Sequence, residues 1–129
     1  GDPETEVVIP RIEDDLVEVF QDAISKKLEG KKLTFSSQSA ATIMLVSGGY
    51  PGDFEKYKRI TGVDDVQDSI VFHAGTTEKD GDILTSGGRV MAITSVAENF
   101  QKAIRISLKN AEKIHFEGKY FRRDIGFDL

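Results

Sequence analysis

Two glycine-rich segments carry the residue types best suited to meeting a ligand. Gly48-Gly49-Tyr50-Pro51-Gly52-Asp53 follows an apolar run, as a phosphate-cradling loop would. Its spacing is neither G-x-G-x-x-G nor a Walker loop with its Lys, and no helical pattern follows at once. On spacing alone a tight turn is the better account. Ser86-Gly87-Gly88-Arg89 sets glycines beside a guanidinium, which suits an anion site or a hairpin turn with a solvated Arg. His73-Ala74-Gly75-Thr76 places a histidine at the end of an apolar stretch, where it fits either an acid–base role or a bond to backbone. Glu13-Asp14-Asp15 offers clustered carboxylates for a metal, or capping charge for a helix start. Lys119, Arg122, Arg123 and Asp124 form the main basic patch, able to grip an anion or to line a solvated edge strand. Lys102, Arg105, Lys109 and Lys113 recur as the solvated face of a helix. No nucleophile–base–acid set can be assembled, because one sequence does not fix which groups meet in space.

Composition narrows the chemistry further. The chain has 129 residues, the size of one ordinary domain. Lys plus Arg total 17 against 22 Asp plus Glu, a net charge of −5 that excludes a nucleic-acid binder relying on bulk positive charge. There is no cysteine, so disulfides, thiolate metal sites and cysteine nucleophiles are excluded. With His73 and His115 the only histidines, a histidine-rich metal site is excluded too. The longest apolar runs, such as Ile43-Met44-Leu45-Val46, fall far short of the ~20 residues of a membrane span. The acidic start Gly1-Asp2-Pro3-Glu4-Thr5-Glu6 is not a signal peptide, and no membrane association is expected.

These residues must be positioned by a small set of elements. A short helix is expected over 3–10, between Pro3 and Pro10. An apolar stripe at three- and four-residue steps predicts a helix over 12–28, with Gly30 as its stop. Residues 30–39 read as a connector. The run at 40–47 predicts a buried strand, and further strands are expected at 58–62, 69–75, 83–85 and 89–94. Lys79-Asp80-Gly81-Asp82 carries a hairpin turn signal. A last helix starts either at a capping box on Ser95 and Glu98 or at Asn99, and ends at His115. Residues 116–129 read as extended. The expected fold is α+β, a mostly antiparallel small sheet or half-barrel with a packed C-terminal helix, preceded by an N-terminal helical segment.

Taken in order, Gly1-Asp2-Pro3-Glu4-Thr5, Ser47-Gly48-Gly49-Tyr50-Pro51-Gly52-Asp53, Val71-Phe72-His73-Ala74-Gly75-Thr76, Thr85-Ser86-Gly87-Gly88-Arg89-Val90 and Phe116-Glu117-Gly118-Lys119-Tyr120-Phe121-Arg122-Arg123-Asp124-Ile125-Gly126 form a more specific pattern than any one alone. The series resembles the C-terminal part of the phosphoribosylamine–glycine ligase family, of the ATP-grasp superfamily. That resemblance runs across essentially the whole chain. It implies an ATP-dependent enzyme of purine biosynthesis that uses magnesium or manganese, and a cytoplasmic location. Glycine is activated as an acyl phosphate, and the amine of 5-phosphoribosylamine then displaces phosphate. It implies further that residues 1–30 are the helical tail of the ATP-grasp region and 31–129 a C-terminal domain closing on it. The metal ligands and nearly all of the ATP site would then lie ahead of residue 1. This part alone would be inactive and hold no cofactor.

By position, Asp2 and Glu4 match a motif lining the catalytic cleft. Gly49, Tyr50, Pro51, Gly52 and Asp53, with Ser86, Gly87, Gly88 and Arg89, match loops expected to shape the cleft wall, Arg89 reaching an anion. No catalytic acid, base or nucleophile is expected here. Arg122 and Asp124 are expected to pair with each other or with the body. The alternative is a non-catalytic module that binds a small ligand or acts as a carrier. A carrier needs a lysine on a tight hairpin with Met neighbours, and neither Met44 nor Met91 adjoins a Lys.

Overall fold

A computed structural model describes residues 3–128 of the chain. The elements run α1 (Thr5–Val8), a 3-10 turn (Ile9–Arg11), α2 (Leu16–Ile24), β1 (Ser39–Val46), a second 3-10 turn (Val63–Asp65), β2 (Ile70–His73), β3 (Thr76–Lys79), β4 (Asp82–Thr85), β5 (Arg89–Ala97) and α3 (Phe100–Lys113). The architecture is the α+β arrangement expected. β5 is the central strand, with β1 and β2 antiparallel on either side, and β3–β4 form a separate hairpin.

Period-two alternation fixes which residues meet α3. Ala41, Ile43 and Leu45 of β1 stand opposite Ser95, Ile93 and Met91 of β5. Ile43, Leu45, Met91 and Ile93 join Ala111, Ile114, Phe116 and Phe121 in the main core. α3 packs across β1 and β5, and α1 also lies against both strands. β5 is buried at every position from Val90 to Ser95, as a central strand covered on both faces should be.

The interface of α3 with the sheet also contains a polar chain. Ser107 donates to the Ala41 carbonyl at 3.0 Å, and its hydroxyl and that of Ser95 share a bond of 2.7 Å. Ser95 and Ser69 share a hydroxyl bond of 2.6 Å. Asn110 Nδ2 donates to Ser69 Oγ at 2.7 Å and to the Gln67 carbonyl, and its Oδ1 accepts from Gln67 N. Because each buried group has a partner, the chain ties the approach to β2 onto the helix without a desolvation penalty.

Several boundaries differ from expectation, each for a local reason. α2 begins at Leu16 because Asp15 caps it, accepting from Val17 N at 2.8 Å. Ile12 is extended instead, bridging Phe35. α2 stops at Ile24, before Leu28, because Lys26 takes a left-handed turn at φ 56°. Lys26 N then bonds to Ala23 O, and Lys27 N to Asp22 O, a Schellman closure built on lysine rather than on Gly30. The last helix uses Asn99 as its cap, accepting from Lys102 N at 2.9 Å, while Ser95 is buried within β5. Residues 58–62 form only isolated bridges, Arg59 with Leu84 and Thr61 with His115. Residues 116–128 are mostly turns, touching the sheet through a Val46–Tyr120 bridge. The Asp80-Gly81 signal holds: both residues have positive φ, as a two-residue hairpin turn of type I′ requires.

Asn110→Ala should lower unfolding stability by about 1–3 kcal/mol, since it leaves Gln67 and Ser69 groups unpaired beside a buried gap. Urea denaturation followed by circular dichroism measures this, and an unchanged midpoint would show the polar chain to be dispensable.

Candidate functional site

Antiparallel pairing on both sides of β5 brings the ends of β1 and β2 to the start of β5. Val46 stands opposite Arg89, and His73 opposite Met91. The glycine segments that follow or precede these residues therefore gather at one end of the sheet. Ser47 N donates to Gly88 O at 2.8 Å, and Ser47 Oγ to Gly87 O at 3.0 Å. Ser86 N and Gly87 N both donate to Gly75 O, at 2.8 and 3.1 Å. Ala74 N and Gly75 N both donate to Val90 O, at 3.0 and 3.1 Å.

Such close backbone approach leaves no room for side chains. A Cβ on Gly75 would lie 2.4 Å from Arg89 O and 2.7 Å from Gly87 Cα. A Cβ on Gly48 would lie 2.8 Å from Gly118 O. Gly49 has φ +96°, and a Cβ there would come 2.1 Å from Asp53 O. At Gly88 the obstacle is a side chain: the Tyr50 ring would lie 2.0 Å from the added carbon. Tyr50 precedes a cis bond to Pro51, meets Phe54 edge-on at 6.2 Å, and walls an apolar recess with Val46 and Tyr120. Arg89 leaves this junction half-buried at the first position of β5.

The structure thus joins Gly49, Tyr50, Pro51, Gly52, Ser86, Gly87, Gly88 and Arg89 into one surface. Read singly, the segments were separable turns. Ser47, Gly75 and Gly118 belong to the junction too. The signal for them was in the sequence, as glycine or a small hydroxyl at a strand end, but their contacts are non-local. Glu4 is exposed and precedes α1, and among the described residues no hydrogen bond links it to the junction. Asp2 lies outside the described residues.

Several of the charged candidates are tied to the domain itself: His73, Arg122, Arg123, Lys119, Lys58, Asp14 and Asp15 all have internal partners. His73 Nδ1 bonds Thr76 Oγ1 at 2.9 Å. Arg122 forms a two-pronged pair with Asp124, 2.9 Å on each arm, and this bond holds the Asp124 carboxyl below its ordinary value and raises the guanidinium. Arg123 binds Glu112, whose carboxyl it lowers, and stacks over Phe121. Lys119 donates to the carbonyls of Ala111 at 2.9 Å and Ile114 at 2.6 Å, capping the end of α3, and burial pushes its ammonium down. The basic patch is therefore a clasp for the C-terminal turns. Lys58 binds Glu55 at 2.6 Å and Glu117 at 3.0 Å beside Gly48 and Gly118; both raise its ionisation, Glu55 first. Asp14 accepts from Thr34 N at 2.5 Å, and Asp15 is the α2 cap. Among the described residues no group of three or more His, Asp or Glu is placed to hold a metal.

Comparison with known proteins decides the family. A family model described as "Phosphoribosylglycinamide synthetase, C domain" matches residues 40–128. The chain belongs to this family. The chain is 40% identical over 125 residues to the phosphoribosylamine–glycine ligase of Caldanaerobacter subterraneus subsp. tengcongensis, covering 97% of this chain and 30% of that one. It is 40% identical over 130 residues to the human trifunctional purine biosynthetic protein adenosine-3, covering 98% of this chain and 13% of that one. The crystal structure of phosphoribosylamine–glycine ligase from Thermotoga maritima superposes with a TM-score of 0.76 at 38% identity, covering 96% of this chain and 30% of that chain. The chain thus spans about a third of the ligases it resembles, and corresponds to their C-terminal region.

The contact of Tyr50 with Gly88 can be tested by a double-mutant cycle. Gly88→Ala should destabilise by about 1–3 kcal/mol, as overpacking does. In a Tyr50→Ala background the penalty should largely vanish. Additive effects in thermal denaturation would show that the ring does not bear on Gly88.

Proposed function

We propose that this C domain completes an ATP-dependent ligase that joins glycine to 5-phosphoribosylamine, in cytoplasmic purine synthesis. The observation that carries the reading is the convergence of the Gly48–Gly52, Gly75 and Ser86–Arg89 motifs on one surface. Separate turns would have no reason to share a register. That surface is rigid, because its loops are bonded backbone to backbone with no space for rearranged side chains. A rigid wall suits a site that must orient an amine against an activated carboxyl group.

In this reading Arg89 presents a guanidinium to an anionic substrate group at the cleft, and Tyr50 fixes the loop beside it. Gly49, Pro51 and Gly52 shape the same wall, while Asp2 and Glu4 face the cleft from the N-terminal side. The domain supplies no acid, base or nucleophile. ATP and a divalent metal, magnesium or manganese, are held by the part of the ligase outside this chain, where the metal neutralises phosphate charge. Residues 1–30 belong with that nucleotide-binding part and 31–129 form the C domain, a division supported by a family match that starts at residue 40. Nothing favours a carrier module: the hairpin tip Lys79-Asp80-Gly81-Asp82 has no Met beside it.

Arg89→Ala in the full-length ligase should reduce kcat/KM by at least about tenfold, the scale of one lost charge-assisted contact. The melting temperature should move by no more than a few degrees. Unchanged turnover would make the Ser86–Arg89 segment a structural turn.

A further inference from the structure

Residues 14–33 make an excursion from the body, closed at its base by a short paired stem. Glu13 N donates to Thr34 O at 3.0 Å, and Ser36 N to Arg11 O at 2.8 Å, around the Ile12–Phe35 bridge. Arg11 Nη2 also donates to Ser36 O at 3.1 Å. α2 sits in this excursion and makes no extensive contact with another helix or strand among the described residues. Its apolar stripe is bare: Val17 is 63% exposed, Phe20 61% and Ile24 83%, at i, i+3 and i+7 on one face. Leu28, just past the helix, adds to the same lobe at 44%. The opposite side is polar, with Asp22 paired to Lys31.

A nine-residue helix is too short to be stable on its own propensity, so an amphipathic helix of this length owes its stability to what its apolar face packs against. That covering is absent from the described residues. Two facts indicate where it comes from. The matched ligases extend over roughly three times the length of this chain, since the chain covers 30% of them. The relatives also match through the excursion, covering 97% of the chain, whereas the C-domain family match begins only at residue 40. The lobe thus lies in the ligases but outside their C domain proper.

We propose that the Val17, Phe20 and Ile24 face of α2 docks onto an apolar surface of the remainder of the ligase, with the stem at 11–13 and 34–36 as the joint that fixes the C domain against it. This rests on the proposed function for the existence of that remainder. A face of aromatic and aliphatic side chains on a helix whose polar residues are Glu18, Gln21 and Asp22 calls for a partner groove that is apolar at its centre and polar at its rim.

Hydrogen exchange read by mass spectrometry tests it, comparing the full-length ligase with the 129-residue chain. Amides of residues 16–24 should exchange at least about tenfold more slowly in the full-length protein. In full-length Phe20→Asp/Ile24→Asp that protection should vanish while β5 exchange stays unchanged. Equal exchange in both wild-type proteins overturns the proposal, as does a gene with no coding sequence ahead of residue 1. So does sedimentation showing the 129-residue chain to be a dimer that the double variant dissociates, for then a second copy is the occupant. A ligase assay on the same full-length sample separates the two readings. Protected α2 in a protein that forms no glycinamide ribonucleotide retains the docking and discards the function; active protein with unprotected α2 does the reverse.

Discussion

The absence of side chains at one point governs this structure. Where β1 and β2 end and β5 begins, the main chains approach so closely that Gly75 and Gly87 nearly touch. Any Cβ at Gly75 would enter the van der Waals radius of backbone atoms that have nowhere to go. Close packing lets Ser86 N and Gly87 N share the Gly75 carbonyl, and Ala74 N and Gly75 N share that of Val90. The register of the whole sheet and the placement of Arg89 follow from these bonds. A slip of one residue would turn the buried face of β1 outward.

The rest of the domain holds that junction still. α3 covers one face of the sheet through apolar contacts, and the Ser69, Ser95, Ser107 and Asn110 chain fixes the entry to β2. The C-terminal turns, clasped by Lys119, Arg122 and Arg123, bring Gly118 against Gly48 and close the junction from the side. Charged groups that looked like ligand contacts are thus spent internally. Arg89 stands at the head of β5, where the glycine loops converge.

What the sequence made legible was what is local. The strand expected over 40–47 forms at Ser39–Val46, the Asp80-Gly81 turn forms as expected, and of the two helix starts the Asn99 cap is the one used; each follows from a few neighbouring residues. The errors came where a distant partner outvoted the local pattern. Ile12 fits the α2 stripe, yet pairs with Phe35 instead. Ser95 fits a capping box, yet its hydroxyl joins Ser107 inside the core. Residues 116–129 read as extended, yet the clasp on α3 folds much of 116–128 into turns. The site was legible as motifs but not as a surface, because spacing along a chain does not say that Ser47 bonds to Gly88. The stripe of α2 could be read as a helix face, but only the structure shows that Val17, Phe20 and Ile24 stay exposed among the described residues.

The central claim is that this chain is one wall of a ligase and not a catalyst in itself. The most direct test assays the full-length protein and the 129-residue chain side by side for glycinamide ribonucleotide formation, with glycine, 5-phosphoribosylamine, ATP and magnesium supplied. The full-length protein should form product, and the isolated chain should form none. Product from the isolated chain, or none from a folded full-length protein, would contradict the account.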